Sequence, residues 1–372
     1  MKKSYKKPIA AFFGLSFLIT SCSKDDEVEI LEPQIAMSKQ EKEHQVTVGD
    51  SLEFAAINEN NAVYTEKWSL GDSTVTDTDT YVFTPKNSGN YMLSYEASNE
   101  SGSFNYEYEI NVEPKIRPII ENSNAYVSKL LAYNPAPGQF INKSPGNLES
   151  AQGLIGGRGL LSLGAWGGTV SYAFDHTVMN HEDKNDLIIY GNPLPGFAEP
   201  GVIYVMQDDN ANGLADDIWY EIKGSAHGLE ETDRGYKITY FKPETAADDV
   251  AWEDSNGNTG VVAKNAFHKQ AYYPEWIKED SYSISGTILS YENIDMSNPS
   301  YITSLPFEYG YADNTSGGDY IDLADAIDAE GNPVNLSGID FVKIQTGIQA
   351  NMGWLGELST EIVGIADLSL IE

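Results

Sequence analysis

Hydrophobic and polar residues alternate with a period of two along much of the chain from residue 34 onward. Between residues 34 and 113 the alternating runs are short and turn residues separate them, as at residues 45–48, 51–54 and 91–95. A period of two places successive side chains on opposite faces of a strand, so each strand buries one face. The pattern predicts a small β-sandwich over residues 34–113.

A second strand-rich region follows a short proline-containing segment. Pro114 and Pro118 disfavour both a helix and a central strand, so we interpret residues 114–118 as a linker. Helical periodicity is scarce beyond it, apart from short candidates at residues 128–133 and 323–327. The predicted strands cover residues 169–174, 187–190, 201–205, 236–240, 341–344 and 361–365. Strands joined by Gly, Asn and Pro turns predict a larger jelly-roll-like β-sandwich with long loops over residues 119–372, and therefore an all-β chain.

The first 22 residues follow a different pattern. Four lysines precede an apolar run from Ile9 to Ile19, and the small residues Thr20 and Ser21 then precede Cys22. The run is too short for a transmembrane helix, which needs about 20 apolar residues. The pattern is typical of a lipoprotein signal peptide. We predict that residues 1–21 are removed and that Cys22 is lipidated, which anchors the chain to the outer membrane.

The segment that follows the predicted lipidation site is acidic. Residues 22–33 form a predicted tether, and its residues 23–27 (SKDDE) resemble the export signal that Bacteroidota place behind the lipidated cysteine of surface-exposed lipoproteins. The alternative is an ordinary solvated tether. The export interpretation predicts a location at the outer membrane, facing the extracellular side. Cys22 is the only cysteine, so no disulfide can form within the chain.

Charge narrows the range of partners. The formal net charge is −33 at pH 7, and removal of the four leading lysines makes the chain more acidic still. Nucleic acid is excluded as a partner because phosphate binding needs a basic face. Hydrophobic residues make up 41% of the chain and aromatic residues 11%, which is ample for folded cores. Acidic side chains favour cations, calcium included.

The sharpest local motif is the segment 208–217, which fits the pattern D-x-[DN]-x-[DN]-G. Oxygen-bearing side chains at alternate positions before Gly213 would converge on a hard cation. An EF-hand has its bidentate glutamate where this chain has Trp219, so an aspartate at 216 or 217 would have to complete the shell. The alternative is a polar hairpin turn. The candidate ligands of a structural calcium ion are Asp208, Asn210, Asn212, Asp216 and Asp217.

Known catalytic signatures are absent from the sequence. The chain has no G-x-S-x-G elbow, its glycine-rich segment 153–159 lacks the P-loop lysine, and no two histidines have the spacing of a zinc site. With 56 acidic residues, many carboxylate pairs will lie close together by chance, so the sequence names no glycosidase pair. We predict that the protein is not an enzyme.

Aromatic residues are the better functional lead. Tyr272, Tyr273 and Trp276 lie in a segment without strand alternation, where exposed rings could stack on a sugar or another planar ligand. Trp252 and Trp354, beside glycine-containing turns, are further candidates. The alternative for all five residues is packing in a core.

Residues 34–113 resemble a PKD domain, which is an immunoglobulin-like module. Residues 68–72 (WSLGD) stand for its W-x-x-G-D core, residues 81–85 for its next strand, and residues 89–91 with 97–102 for its last hairpin. The resemblance implies an immunoglobulin-like sandwich that acts as a spacer or a docking platform and carries no chemistry of its own.

Residues 125–372 resemble the "cell surface protein" lipoproteins of Bacteroidota that carry an N-terminal PKD-like module. The matching stretches are residues 133–142, 162–168, 174–178, 189–192, 199–201, 207–221 and 354–361. The resemblance implies an accessory component of TonB-dependent outer-membrane transporters, in some cases transporters like those for cobalamin. We therefore expect non-catalytic capture of a nutrient, a corrinoid or a glycan. The alternatives are an adhesin or structural module that binds protein partners and, third, a hydrolase.

Overall fold

The computed structural model describes residues 30–371. The predicted signal peptide, the lipidation of Cys22 and most of the acidic tether therefore lie outside the described residues. The chain divides into two compact units. One contains residues up to Lys42, Glu53–Tyr81 and Met92–Tyr108, and the other contains Glu43–Leu52, Val82–Tyr91 and the residues from Glu109 onward. This division cuts across residues 34–113, so the domain boundaries taken from the sequence stay predictions.

Residues 30–113 form eight strands in two sheets. The three-stranded sheet has the order β1-β3-β6, and the five-stranded sheet has the order β2-β8-β7-β4-β5. The strands are β1 (Ile35–Met37), β2 (Glu43–Thr47), β3 (Leu52–Asn58), β4 (Thr65–Leu70), β5 (Ser73–Thr76), β6 (Thr80–Phe83), β7 (Gly89–Asn99) and β8 (Gly102–Glu113). The predicted small sandwich is confirmed.

The W-x-x-G-D segment begins in the core of this sandwich at Trp68 and ends in an exposed turn at Gly71 and Asp72. The Trp68 ring is buried on β4 and stacks on Tyr108, with the ring centroids 6.4 Å apart. Its Nε1 donates to the Thr78 carbonyl at 3.0 Å. Gly71 turns the chain between β4 and β5 with a φ of +54°, a conformation that glycine adopts without strain. The tryptophan therefore fixes the packing, and the glycine allows the hairpin.

The larger region is also built from strands, with one short helix, α1 (Leu148–Gln152). Single 3₁₀ turns cover Ser225–Gly228, Leu323–Asp325, Gly353–Leu355 and Leu368–Leu370. The strands are β9 (Lys129–Asn134), β10 (Leu161–Ser162), β11 (Thr169–Met179), β12 (Leu187–Gly191), β13 (Gly201–Met206), β14 (Tyr220–Ile222), β15 (Asp233–Phe241), β16 (Val250–Asp254), β17 (Thr259–Val262), β18 (Ser281–Ile288), β19 (Ile294–Asp295), β20 (Thr303–Ser304), β21 (Tyr311–Ala312), β22 (Asp319–Ile321), β23 (Ala326–Ile327), β24 (Gly338–Thr346) and β25 (Glu361–Asp367).

Two sheets of this region enclose its main core. A seven-stranded sheet has the order β23-β14-β13-β24-β11-β9, with β21 paired to β13, and a four-stranded sheet has the order β10-β25-β12-β22. The strands β9 to β13 alternate between the two sheets, as do β24 and β25, which is a jelly-roll-like connection. Phe174 and Ile344 of the first sheet and Ile189 and Ile365 of the second belong to one buried cluster. The prediction of an all-β fold is confirmed.

A third sheet, of order β17-β16-β15-β18, covers a separate core. Its buried residues include Tyr236 and Tyr240 of β15 together with Trp166. The Trp166 and Tyr236 rings meet edge to face, with centroids 4.6 Å apart. This subsidiary sheet positions the loop 263–276, which carries several of the aromatic residues singled out above.

Two predictions about local structure are corrected. The helical candidate at residues 128–133 is the strand β9, because it pairs with β11. The candidate at residues 323–327 is a 3₁₀ turn followed by β23. The linker 114–118 stays a prediction; within it, Arg117 donates from Nε and Nη2 to Asp340, at 3.0 and 2.8 Å.

Candidate functional site

One open cavity of about 420 Å³ combines exposed rings with carboxyl and amide groups. Four segments that are distant in the sequence meet there, around residues 139–140, 192–199, 265–268 and 354–361. We call it the aromatic groove. Its lining residues are Gln139, Phe140, Asn192, Leu194, Phe197, Glu199, Asn265, Phe267, His268, Trp354, Leu355 and Glu361.

The rings of the groove are unusually accessible. Phe267 is 80% exposed and Trp354 is 51% exposed. Trp354 meets Phe197 edge to face, with centroids 6.0 Å apart, and His268 meets Phe140 in the same way at 4.8 Å. Trp354 and His268 are therefore each supported by a second ring, and Phe267 is the most exposed ring of the groove. Such rings offer flat apolar faces to a ligand.

Asn265 joins the two loops that carry the most exposed rings. Its Nδ2 donates to the Trp354 carbonyl at 2.9 Å, and its Oδ1 accepts from the Phe267 backbone N–H at 2.8 Å. Its own backbone N–H donates to the Tyr272 hydroxyl at 2.8 Å. The buried Tyr272 thus holds Asn265, and Asn265 holds both loops. The spacing between Phe267 and Trp354 is consequently preorganised.

The polar side of the groove contains two carboxyl groups. Asn314 Nδ2 donates to Glu199 Oε2 at 2.7 Å, and Asn192 Nδ2 donates to Glu361 Oε2 at 2.7 Å. Burial, and then the charge of Glu361, hold the pKa of Glu199 well above its ordinary value. Burial also raises the pKa of Glu361. A protonated carboxyl donates while a carboxylate only accepts, so this pair can offer both functions to hydroxyl groups.

A third carboxyl lies just behind the groove. Glu357 is 4% exposed, and its Oε1 accepts from the Gln139 backbone N–H at 2.7 Å. Its Oε2 has no hydrogen-bond partner, and burial raises the pKa of Glu357 to about 8. Neither lysine nor arginine lines the groove. The site is therefore unsuited to an anionic ligand and suited to a neutral one.

The aromatic residues chosen from the sequence fall in different places. Trp354 lies in the groove, as a binding role requires. The expected exposure of Tyr272 and Tyr273 is wrong: both rings are buried in the core under the third sheet. A segment without strand alternation can still pack inward, and here Pro274 ends it in a turn, with Ile277 N–H donating to the Pro274 carbonyl.

The other two tryptophans lie away from the aromatic groove. Trp276 is 45% exposed and its ring lies 6.2 Å from that of Tyr133. Trp252 is half-buried, packs against the core of the third sheet, and lines a separate cavity of about 220 Å³ with Glu357. A role in ligand binding stays a prediction for both.

Sequence reasoning missed most of the groove. Phe140, Phe197, Phe267 and His268 were not singled out, although Phe267 and His268 lie in the same loop as Tyr272. One signal was available: Asn265 to His268 form a short polar and aromatic stretch without alternation. The pairing of that stretch with Trp354 depends on the fold and could not be read from spacing.

The predicted calcium loop is internally hydrogen-bonded. Asp208 is buried, and its two carboxylate oxygens accept from the backbone N–H groups of Asn212 and Gly213, at 3.0 and 2.7 Å. Asn212 Oδ1 accepts from the Leu214 backbone N–H at 2.6 Å. Across residues 30–371, no group of three His, Cys, Asp or Glu side chains is arranged to hold a metal ion.

The remaining predicted ligands of that loop are Asn210, Asp216 and Asp217. Oδ2 of Asp217 has no partner, and burial together with the charges of Asp209, Asp208 and Asp216 raises the pKa of Asp217 to about 6. This uncompensated negative charge is what a cation would relieve. The calcium site stays a prediction.

Calcium is expected to raise the thermal unfolding temperature of the native protein by a few degrees, because only the folded loop brings these oxygens together. Asp217→Asn is expected to abolish that increase. The measurement is thermal unfolding in EDTA and in millimolar CaCl₂, with MgCl₂ as the ionic-strength control. Equal shifts with both salts, or a shift that survives in Asp217→Asn, would refute a calcium site at this loop.

In the described part of the chain, no helix is long and apolar enough to cross a membrane. No protein-family model and no curated protein matches the chain.

Solved structures match it only distantly. A quinoprotein alcohol dehydrogenase-like protein of Bacteroides thetaiotaomicron has 12% identity and a TM-score of 0.23, over 86% of this chain and 50% of that one. A SusE-like protein has 8% identity and a TM-score of 0.21, over 90% and 96% of the two chains. Carbohydrate-binding modules of the β-sandwich superfamily have 11% identity and a TM-score of 0.18, over 91% and 97%. This chain thus spans about half the length of the first match, and likenesses this weak carry no argument about ligand, partner or location.

Proposed function

We propose that the protein is a non-catalytic binding protein that holds a neutral glycan in the aromatic groove. The observation that carries this proposal is the position of two exposed rings, Phe267 and Trp354, beside the carboxyl and amide groups of Glu199, Glu361 and Asn192. A sugar ring has an apolar face of C–H groups and a rim of hydroxyls. Aromatic rings pack against the C–H face, and carboxyl and amide groups form hydrogen bonds with the hydroxyls.

The charge of the groove supports a neutral ligand over an anionic one. Two acidic side chains, Glu199 and Glu361, line it, and no lysine or arginine faces it. An anionic sugar would meet repulsion that nothing in the groove offsets. The groove is therefore matched to an unsubstituted glycan rather than to a sulfated or carboxylated one.

The size of the groove bears on the choice between a glycan and a corrinoid. Its volume of about 420 Å³ lies in the lower half of the range of about 300–1,000 Å³ that is typical of small-molecule sites. One or two sugar rings fit such a groove better than an entire corrinoid. We propose the glycan as the ligand and keep the corrinoid as a comparison in the test.

The cellular setting of this proposal comes from the sequence. The lipoprotein signal, the lipidated Cys22 and the acidic tether support anchoring to the outer membrane with the binding region facing outward. Captured glycan would then pass to a TonB-dependent transporter. An adhesin that binds protein partners is the alternative, and it would not need a groove with paired carboxyl groups.

Trp354→Ala and Phe267→Ala are each expected to weaken glycan binding by about tenfold or more, because each removes a stacking face. The measurement is calorimetric titration of the purified protein with neutral oligosaccharides found first on a glycan array, and with cobalamin. Trp276→Ala is the matched control, since Trp276 has similar exposure but lies outside the groove.

Several results would count against the proposal. Absence of glycan binding by the folded protein, or equal losses in Trp276→Ala and Trp354→Ala, would remove the groove as the site. Tight binding of cobalamin instead would replace the ligand class. Slow cleavage of a bound oligosaccharide that disappears in Glu199→Gln would show that the carboxyl pair is catalytic and that the third alternative, a hydrolase, is correct.

A further inference from the structure

A second cavity, of about 270 Å³, differs from the aromatic groove because a lysine and an arginine line it. It lies on the side of the seven-stranded sheet that faces away from the main core. On β24, Val342 and Ile344 point into that core, so the alternate residues Lys343 and Gln345 point to the other side. Tyr204 of β13 lines the same cavity. We call it the lysine pocket.

Lys343 is the cation of this pocket. Its Nζ lies 4.3 Å from the centroid of the Tyr204 ring and 4.7 Å from that of Trp219. These rings hold the aliphatic stem and the ammonium group in place by packing and cation–π attraction. Among the salt bridges of residues 30–371, none involves Lys343. Burial lowers the pKa of its ammonium group, and the charge of Glu221 opposes that shift in part. The group is positioned and partly desolvated, with donors to spare.

Two neutral donors lie beside this ammonium group. Gln345 is 2% exposed, and its Nε2 has no hydrogen-bond partner. The Tyr204 hydroxyl accepts from the Thr287 backbone N–H at 3.3 Å, which leaves its own hydrogen for a further acceptor. A buried donor without a partner costs about 1–3 kcal/mol, so a pocket that contains one favours a ligand that supplies acceptors.

The acidic side chains that line the pocket already accept hydrogen bonds from other residues. Glu221 accepts from Arg234 Nε at 3.1 Å and from Thr287 Oγ1 at 2.9 Å, and it is hydrogen-bonded to His227 Nε2 at 2.9 Å. Asp328 accepts from the backbone N–H and Nδ2 of Asn332 in an exposed turn. Arg234 is paired with Glu221, so Lys343 is left without a hydrogen-bonded counter-ion.

We propose that the lysine pocket binds the carboxylate of a small organic acid, of the size of a single hexuronic acid. One unpaired ammonium group matches one negative charge. Phosphate or sulfate would bring more charge next to Glu221 in a chain that is already strongly acidic, which favours the carboxylate. The volume of about 270 Å³ admits one such molecule. This site does not depend on the aromatic groove or on the glycan proposed for it.

The test is titration of the purified protein at pH 7 with galacturonate, with galactose as its uncharged counterpart and inorganic phosphate as the competing anion. Each titration is carried out on the native protein and on Trp354→Ala, in which groove binding is expected to be weakened by about tenfold or more. We expect saturable binding of galacturonate in both proteins, and tighter binding than that of galactose or phosphate in Trp354→Ala.

Lys343→Met keeps an unbranched side chain between the two rings and removes the charge. It is expected to weaken galacturonate binding by about tenfold or more. Lys242→Met is the matched control, since Lys242 also lies over a tyrosine ring, at 5.9 Å from the Tyr273 centroid, but outside the lysine pocket. Thermal unfolding of each variant shows that it is folded, and Lys343→Arg provides a second folded variant that should retain binding.

Four outcomes would overturn the proposal. Three of them are no binding of galacturonate by the folded native protein, unchanged binding in Lys343→Met, and tighter binding of phosphate than of galacturonate. The fourth is loss of galacturonate binding in Trp354→Ala, which would show that the acid binds in the aromatic groove and not in this pocket.

Discussion

Glu357→Gln is expected to stabilise the protein at pH 8 and to flatten the decline of stability between mildly acidic and mildly alkaline pH. Glu357 is buried and its pKa is raised from 4.5 to about 8 because of that burial. The folded state therefore keeps a proton that the unfolded state releases above its ordinary pKa. Stability is fully present below about pH 4.5 and is lost as the pH rises towards 8.

The size of this effect is large for one side chain. Each pH unit in that window costs about 1.4 kcal/mol, so this carboxyl accounts for as much as about 5 kcal/mol. Glutamine has the shape of the protonated acid and cannot ionise. It avoids the cost of burying a charge with an unpartnered oxygen.

The free energy of unfolding, measured with denaturant from pH 5 to pH 8, checks this prediction. Glu330→Gln is the control, because Glu330 lies in an exposed turn. If the free energy of unfolding depends on pH equally in the native protein and in Glu357→Gln, Glu357 ionises in the folded state without cost and the prediction is wrong. Glu199 and Glu361 also have raised pKa values, so they too make the free energy of unfolding fall as the pH rises. Glu357→Gln should therefore still lose stability with rising pH, but less steeply than the native protein.

Asp340→Ala is expected to reduce the free energy of unfolding by about 3–5 kcal/mol, the usual cost of removing one partner of a buried ion pair. Asp340 is fully buried. Its Oδ1 accepts from Arg117 and, at 2.7 Å, from Thr177 Oγ1, and its Oδ2 accepts from the Asp208 backbone N–H at 2.7 Å. Alanine leaves all three donor groups without this acceptor.

Denaturant unfolding of Asp340→Ala, Arg117→Ala and the double variant checks this prediction. The losses of unfolding free energy in Asp340→Ala and Arg117→Ala should sum to more than the loss in the double variant, because each single change removes the same interaction. Glu96→Ala is the control, since it breaks an ion pair with Lys67 in which both side chains are about half exposed; its effect should stay below about 1 kcal/mol. Simple additivity of Asp340→Ala and Arg117→Ala would show that the pair is not coupled.

The fold was largely accessible from the sequence because alternation is a local property. Every strand predicted in the larger region is present and is longer than predicted, as β11 illustrates: the pattern indicated residues 169–174 and the strand runs to Met179. The extension was hidden because both faces of β11 are buried, so alternation fades beyond Phe174. The residues 128–133 were misassigned for a related reason, since a short apolar run does not distinguish a strand from a helix.

The candidate site was far less accessible because it depends on long-range proximity. Trp354 is the one aromatic candidate from the sequence that lines the aromatic groove. The missing alternation around Tyr272 and Tyr273 indicates exposed rings, yet the third sheet supplies a core for them that no local pattern reveals. The carboxyl pair Glu199 and Glu361 lies 162 positions apart in the numbering and is joined only by the folded strands.

The position of β24 and β25 in their sheets has a consequence for how the chain acquires its structure. Both strands come last in the sequence, yet β24 lies between β13 and β11, and β25 lies between β10 and β12. During synthesis or export the chain emerges from its amino end. Until residues 338–367 have emerged, both sheets lack a central strand and the neighbouring strands have unpaired edges. We expect early-emerging segments to need protection by chaperones, and premature stop codons before Gly338 to yield protease-sensitive, aggregating products rather than a shortened folded protein.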